Sequence, residues 1–183
     1  MRLDSEIFDS LFLVGPMGSG KTTIGKHLAR ELALNFIDSD HEVEVRAGAN
    51  IPWIFDVEGE GGFRARETKV LEELTLLPNI LLSTGGGSIL TTLNRGFLKS
   101  RGVVVFLDTT VDIQLKRIEN DKKRPLLEDV DKSTVLNEMK RYRDPLYNEV
   151  SDVKVFSGDF GSKRVVSNII KSLVEKGFVD EEL

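Results

Sequence analysis

The chain has 183 residues, of which 40% are hydrophobic and 30% are charged, a composition typical of a globular domain. We expect a single domain spanning residues 1–183. The net charge of −5 indicates no general affinity for polyanions, so we expect neither a nucleic-acid nor a membrane partner. The absence of cysteine excludes disulfides and thiolate chemistry, and two histidines cannot form a histidine-rich metal site by themselves.

The first ten residues, MRLDSEIFDS, are acidic and lack the apolar stretch of a signal peptide. No stretch approaches the roughly 18 apolar residues that a membrane span needs. We therefore expect a cytoplasmic protein, and the length is sufficient for a core that supports a monomer.

Apolar runs alternate with helical patterns along the chain, which predicts βα units around a parallel sheet. In the first half of the chain the pattern predicts a strand at 11–15, a helix at 22–34, a short strand at 35–37, and a helix that ends before Gly48. A further helix is predicted to start near Pro52 and to continue through 61–77. The second half is predicted to contain strands at 79–83, 103–108 and 153–156 and a final helix at 162–176. The segment at 119–133 is dense in charge and interrupted by Pro125, which is typical of either a surface loop or a mobile lid.

The first strand is followed by GPMGSGKT at residues 15–22, which fits the phosphate-loop pattern Gly-x-x-x-x-Gly-Lys-Ser/Thr between a strand and a helix. In such a loop the backbone N–H groups surround one anion, and the positive end of the helix dipole adds to the attraction. Lys21 would reach the β- and γ-phosphates, and the Thr22 hydroxyl would bind Mg²⁺. The residues predicted to bind ATP here are Gly18, Ser19, Gly20, Lys21, Thr22 and Thr23.

The next strand ends in NFIDSDHE at residues 35–42, which contains two carboxylates one residue apart. By themselves Asp38 and Asp40 could bind a metal, act as a general base, or cap the following helix. The residues of this segment alone do not choose between these roles.

Five further segments occur in order behind the phosphate loop: FIDSD at 36–40, GGFRARE at 61–67, STGGGS at 83–88, RPLL at 124–127 and RYRDPLY at 141–147. In this order and spacing they resemble the shikimate kinase family over essentially the whole chain. The resemblance implies a three-layer α/β/α P-loop kinase fold with a five-stranded parallel sheet of order 2-3-1-4-5 and a mobile lid at about 119–133. It also implies transfer of the γ-phosphoryl group of ATP, with Mg²⁺, to the 3-hydroxyl of shikimate, a step toward chorismate and the aromatic amino acids.

The resemblance assigns roles to the acceptor residues, in a shikimate-binding region at about 38–66 and in later segments. Arg64 and Arg143 match the arginines that bind the shikimate carboxylate, for which planar guanidinium groups are well suited. Asp40 matches the residue that binds ring hydroxyls and takes the proton of the attacking hydroxyl, either as a true base or as an orienting group. Asp38 matches the carboxylate that holds Mg²⁺ through water. The glycines that border the substrate are Gly85, Gly86 and Gly87.

Two arginines match residues that bind the nucleotide. Arg124 corresponds to the lid arginine that closes over the transferring phosphate, where it would stabilise the transition state. Arg117 corresponds to the arginine that stacks on adenine. Residues 157–163 depart from the family pattern, and Arg164 is a candidate for an adenine contact there.

Two other functions are also compatible with the sequence. A kinase of the same fold could phosphorylate another polyol acid such as gluconate, although the pair of arginines and the three glycines favour shikimate. A nucleotide-dependent binding module without catalysis is the second, but no residue of the catalytic set is missing from the chain.

Overall fold

The computed structural model describes residues 9–118, 131–159 and 161–180, and in these ranges the chain forms five strands and seven α-helices. The strands are β1 Leu11–Val14, β2 Asn35–Asp38, β3 Ile80–Ser83, β4 Val103–Asp108 and β5 Val153–Phe156. The helices are α1 Lys21–Glu31, α2 Ser39–Ala47, α3 Ile51–Leu74, α4 Thr92–Arg101, α5 Val111–Ile118, α6 Lys132–Val150 and α7 Ser162–Glu175.

The five strands form one parallel sheet in the order β2-β3-β1-β4-β5, which confirms the predicted order. In the register, Ser83 at the end of β3 lies opposite both Leu13 of β1 and Asp38 of β2. Because all strands run in the same direction, the segments that follow β1, β2 and β3 leave the sheet side by side at one edge.

The sheet is covered on both faces, which gives the three layers that were predicted. Leu11 and Leu13 of β1 face a core shared with α1 and α7, whereas Phe12 and Val14 face a second core shared with α2, α3, α4 and α6. This division follows from the alternation of side chains along a strand. Since both faces are covered, β1, β3 and β4 are almost entirely apolar and buried.

The predicted helix boundaries are accurate to within a few residues. Gly48 ends α2 with a left-handed backbone (φ 64°), and Pro52 lies in the first turn of α3, after the Asn50 side chain that accepts a hydrogen bond from the Trp53 N–H. At Gly59 (φ 70°, ψ 179°) α3 is kinked, so its two parts run in different directions.

The sequence pattern gave no bounds for three helices, α4, α5 and α6. Helix α4 has only Asn94 and Leu98 buried, so its sequence carries a weak periodic signal. Helix α6 contains Pro145, a residue that usually ends a helix. Most of the predicted lid, residues 119–130, lies outside the described residues, and its last two residues already belong to α6.

Within the described ranges, none of the helices combines the length and apolar character that crossing a bilayer requires.

Packing of α1 on the sheet depends on the small size of Gly25. A Cβ atom at this position would lie 2.7 Å from the ring of Phe36 and 3.1 Å from methyl groups of Leu13 and Leu81. We expect Gly25→Val to lower the free energy of unfolding by about 1–3 kcal/mol through overpacking. Urea denaturation measures this change.

The matched control is Gly96→Val in α4, where a Cβ would meet no atom within 4 Å. This exposed variant should stay within about 0.5 kcal/mol of the parent chain. Equal stability of the two variants would contradict the close packing of α1 on β1 and β3.

Candidate functional site

The loop between β1 and α1 has the geometry of an anion-binding turn. Gly20 precedes α1 with φ 89° and ψ 17°, a left-handed conformation that glycine adopts without strain, and no side chain caps this helix end. A helix end of this kind binds phosphate groups through its first N–H groups. The Lys21 ammonium group donates to the carbonyls of Gly15 (2.7 Å) and Pro16 (2.9 Å), so it lies against the same loop.

The Gly18 and Ser19 carbonyls of this loop accept hydrogen bonds from α5 and from the segment that follows β5. Arg117 of α5 donates to the Gly18 carbonyl at 2.9 Å and to the Gly158 carbonyl at 2.5 Å. The Ser157 hydroxyl donates to the Ser19 carbonyl at 2.6 Å. These bonds fix the Gly18 and Ser19 carbonyls of the loop. They also place Arg117 beside the phosphate loop, on the side where the sequence predicted the adenine.

Asp38 connects the phosphate loop to α2. One of its oxygens accepts a hydrogen bond from the Thr22 hydroxyl at 2.9 Å, and the other accepts from the N–H groups of Asp40 and His41. Asp38 is therefore the N-cap of α2. The capping role that the sequence left open for Asp40 belongs to Asp38, and Asp40 lies in the first turn of the helix.

The Thr22 hydroxyl and the Asp38 carboxylate are both hard oxygen donors of the kind that Mg²⁺ prefers. Among the described residues, no three histidine or acidic side chains are grouped closely enough to hold a metal on their own. This donor set fits a Mg²⁺ ion that takes its remaining ligands from nucleotide phosphates and water.

A cleft of about 650 Å³ opens beside the phosphate loop. Part of its wall is apolar and is formed by Phe55 and Phe63, whose ring centroids lie 4.8 Å apart. Its polar side chains come from several elements that are distant in the sequence. The predicted site residues that line it are Thr22, Asp38, Asp40, Arg64, Gly85, Gly86, Gly87 and Arg143.

Arg64, on the second part of α3, is held in the cleft by two carboxylates. Its Nη1 lies 2.7 Å from Glu67 and its Nη2 lies 3.2 Å from Glu60. Burial lowers the pKa of Arg64, but the attraction of Glu67 and Glu60 outweighs burial, so the pKa of Arg64 is raised overall. Glu67 is only 1% exposed and also accepts from the Ser88 hydroxyl at 2.7 Å, which fixes the carboxylate that orients Arg64.

The glycine loop after β3 lies directly beneath these side chains. A Cβ on Gly85 would lie 2.5 Å from an Asp40 carboxylate oxygen and 2.9 Å from Glu67. A Cβ on Gly87 would overlap the Arg64 guanidinium group. A larger residue at either position would therefore displace the Asp40, Glu67 or Arg64 side chain from its present place.

Arg143 enters the cleft from α6 and is 8% exposed. Its Nη1 donates to the Gly86 carbonyl at 3.3 Å. One turn earlier, Lys140 binds Asp108 at the end of β4 at 2.7 Å, which fixes α6 against the sheet. Burial raises the pKa of Asp108, but Lys140 and Lys154 lower it more strongly, so the net shift of the Asp108 pKa is downward.

The remaining predicted residues are not part of the cleft wall. Gly18, Ser19, Gly20 and Lys21 belong to the phosphate loop itself, and Thr23 is exposed on α1. Arg124 lies outside the described residues.

Two residues of the site were missed by the sequence reasoning. Glu67 stands three residues after Arg64 in RARE, a spacing that brings side chains together on a helix and could have revealed the pair. Tyr147 closes the segment RYRDPLY, and its hydroxyl donates to the Gly86 carbonyl at 2.6 Å. That contact joins residues 61 positions apart, so no local sequence signal predicts it.

The family model, the similar sequences and the similar structure described next all carry the same family description. The family model described as shikimate kinase matches residues 17–174. The shikimate kinase of Buchnera aphidicola subsp. Acyrthosiphon pisum is 52% identical over 167 residues, which are 91% of this chain and 96% of that protein. The shikimate kinase of Vibrio parahaemolyticus is also 52% identical over 167 residues, covering 91% and 97% of the two chains.

Among solved structures, shikimate kinase from Acinetobacter baumannii in complex with shikimate superimposes with a TM-score of 0.91 at 46% identity. The match covers 95% of this chain and 97% of that one. A phosphate loop beside a cleft with one buried and one partly buried arginine, together with these similarities over nearly the full length, shows that the chain belongs to the shikimate kinase family.

Proposed function

We propose that the chain transfers the γ-phosphoryl group of ATP to the 3-hydroxyl of shikimate, giving ADP and shikimate 3-phosphate, with the side chains of the cleft in the roles described below. One observation carries this proposal: Thr22 of the phosphate-binding segment lines the same cleft as Arg64 and Arg143. Two ligands bound in these two places would be close enough for direct transfer, which is the main requirement of phosphoryl-transfer catalysis.

The acceptor side of the cleft suits a small ring that carries one carboxylate and several hydroxyls. Arg64 and Arg143 supply guanidinium groups for the carboxylate, because each can donate two hydrogen bonds in its own plane. Phe55 and Phe63 supply an apolar surface for the ring. Asp40, close to Gly85 at the bottom of the cleft, would accept a hydrogen bond from the attacking hydroxyl.

On the nucleotide side, the N–H groups of the phosphate loop would hold the β- and γ-phosphates, and Lys21 would move from the loop carbonyls to those phosphates. Bound Mg²⁺ would offset the phosphate charge, with Thr22 and Asp38 as its protein partners. Gly18, Ser19, Gly20 and Thr23 complete the predicted phosphate site, with Arg117 against the adenine. Arg124 keeps its predicted role over the transferring phosphate.

Other parts of the proposal concern the whole molecule. We propose one domain at 1–183, a shikimate-binding region at about 38–66, and a lid at about 119–133 that excludes water during transfer. We also propose a cytoplasmic monomer with shikimate and ATP as its ligands and no nucleic-acid or membrane partner. The net charge of −5 supports the last point.

The activity is tested by incubating the purified chain with MgATP, with and without shikimate. We expect ADP release to depend on shikimate and to match the shikimate 3-phosphate formed, mole for mole. Gluconate serves as an alternative acceptor and should give much slower turnover. ADP release at the same rate without shikimate would show a nucleotide hydrolase or binding module instead.

The role of the arginines is tested by Arg64→Lys and Arg143→Lys, which keep the charge beside Glu67 and the Gly86 carbonyl but lose the planar donor pair. Loss of a charge-assisted hydrogen bond should raise the KM for shikimate by about 10-fold or more. The KM for MgATP should stay within about twofold of the parent value.

Arg66→Lys is the control for these variants, since Arg66 is paired with Glu58 outside the cleft. Its KM for shikimate should be unchanged. A rise in the KM for MgATP alone, in either cleft variant, would contradict the assignment of these arginines to the acceptor.

The Mg²⁺ role of Asp38 is tested by Asp38→Asn, which keeps an oxygen for capping α2 but removes the negative charge. If Asp38 holds the metal through water, about 10-fold more Mg²⁺ should be needed for half-maximal activity. Thermal stability should change little, because asparagine is as good an N-cap as aspartate.

Asp152→Asn is the matched control. Asp152 directly precedes β5, the strand farthest from β2 in the sheet, and accepts a hydrogen bond from the Val104 N–H. It should leave the Mg²⁺ requirement unchanged. The same Mg²⁺ titration for Asp38→Asn and the parent chain would remove Asp38 from the metal site.

A further inference from the structure

The glycine loop after β3 contains a peptide unit that could adopt two orientations. The Ser88 N–H donates to the Gly85 carbonyl at 3.1 Å, so residues 85–88 form a β-turn with Gly86 and Gly87 in its centre. Gly87 has φ −95° and ψ −7°, the values of the second central residue in a type I turn.

A type I turn becomes a type II turn when its central peptide rotates by about 180°. The second central residue of a type II turn needs a positive φ, which glycine at position 87 adopts without steric cost. The turn by itself therefore has little preference between the two orientations of the Gly86–Gly87 peptide.

The two orientations differ in what they present to the cleft, which both glycines line. In a planar trans peptide the carbonyl oxygen and the N–H lie on opposite edges. When the Gly86 carbonyl points toward α6, the Gly87 N–H points away from α6. After rotation the carbonyl oxygen would take the place of that N–H and would repel a carboxylate.

The structure contains a side chain that selects one orientation. The Tyr147 hydroxyl donates to the Gly86 carbonyl at 2.6 Å. Tyr147 is 1% exposed, and its ring stacks on Phe106 with a centroid distance of 4.9 Å, so the hydroxyl has a fixed position. Arg143 donates to the same carbonyl at the longer distance of 3.3 Å.

The chemical state of Tyr147 agrees with a permanent donor. Burial raises the pKa of the Tyr147 hydroxyl well above its usual range, and the nearby Arg143 offsets only part of this shift. The hydroxyl therefore keeps its proton at every pH at which the protein would function. Arg143 can turn from the Gly86 carbonyl to a substrate, whereas Tyr147 does not line the cleft and stays with the loop.

We propose that Tyr147 is a positioning residue for the acceptor substrate: its hydroxyl holds the Gly86 carbonyl toward α6, so that the loop presents the Gly87 N–H and not a carbonyl oxygen to the substrate. Tyr147 acts through the Gly86–Gly87 peptide and does not contact the substrate itself. This inference rests on the proposed function, because it assumes that shikimate occupies the cleft beside the glycine loop.

Tyr147→Phe tests the inference, since it removes one oxygen atom and keeps the ring on Phe106. We expect the KM and Kd for shikimate to rise about 3- to 10-fold, the range that corresponds to one neutral hydrogen bond. The KM for MgATP and the kcat should stay within about twofold of the parent values. Steady-state kinetics and calorimetric titration of shikimate provide these constants.

Two controls separate positioning from general stability. Tyr142→Phe makes the same chemical change at an exposed position of α6 and should behave as the parent chain. Leu173→Ala removes packing in the core on the other face of the sheet, away from Tyr147, so it should lower the melting temperature without a selective rise in the KM for shikimate.

The inference is overturned by an unchanged KM for shikimate in Tyr147→Phe, by an equal rise in both KM values, or by the same selective rise in Leu173→Ala. Failure of Tyr147→Phe to fold would also overturn it, because a positioning hydroxyl is dispensable for the fold. Absence of shikimate-dependent ADP release from the parent chain is a separate result, and it would contradict the proposed function instead.

Discussion

The site depends on a constraint of the sheet: three neighbouring parallel strands, β2, β3 and β1, end at the same edge. The segments that leave these ends are the helix cap at Asp38, the glycine loop at 85–87 and the phosphate loop at 15–20. Strand order thus brings together three segments that are far apart in the sequence. A different order of the same strands would separate the Asp38 carboxylate from Thr22, to which it is hydrogen-bonded.

Placing positive charge in a cleft of a negatively charged protein requires compensation nearby. Arg64 is paired with the buried Glu67, and Arg143 donates a hydrogen bond to the Gly86 carbonyl, so both guanidinium groups have protein partners before any ligand is bound. A buried charge without such partners would be strongly unfavourable. The same contacts reduce the conformational freedom that substrate binding would otherwise have to remove.

Most of the sheet was predictable because its central strands are short apolar runs separated by turn residues. The ends of α2 and α3 were also predictable, since Gly48 and Pro52 act through local backbone geometry. Helix α6 was not predicted, because Pro145 is unfavourable within a helix and is tolerated here by the packing of residues such as Tyr147 against the second core. Because the start of α6 was not predicted, the predicted lid at about 119–133 extended two residues into this helix.

The sequence by itself determined the phosphate loop, the five strands and the residues that resemble those of the shikimate kinase family, because each of these depends on local spacing and residue type. Only the tertiary structure decided which side chain caps α2, which carboxylate orients Arg64, and which hydroxyl holds the glycine loop. These contacts are made by Asp38, Glu67 and Tyr147. Their partners depend on how helices dock against strand ends, and neighbouring residues along the chain do not encode that arrangement.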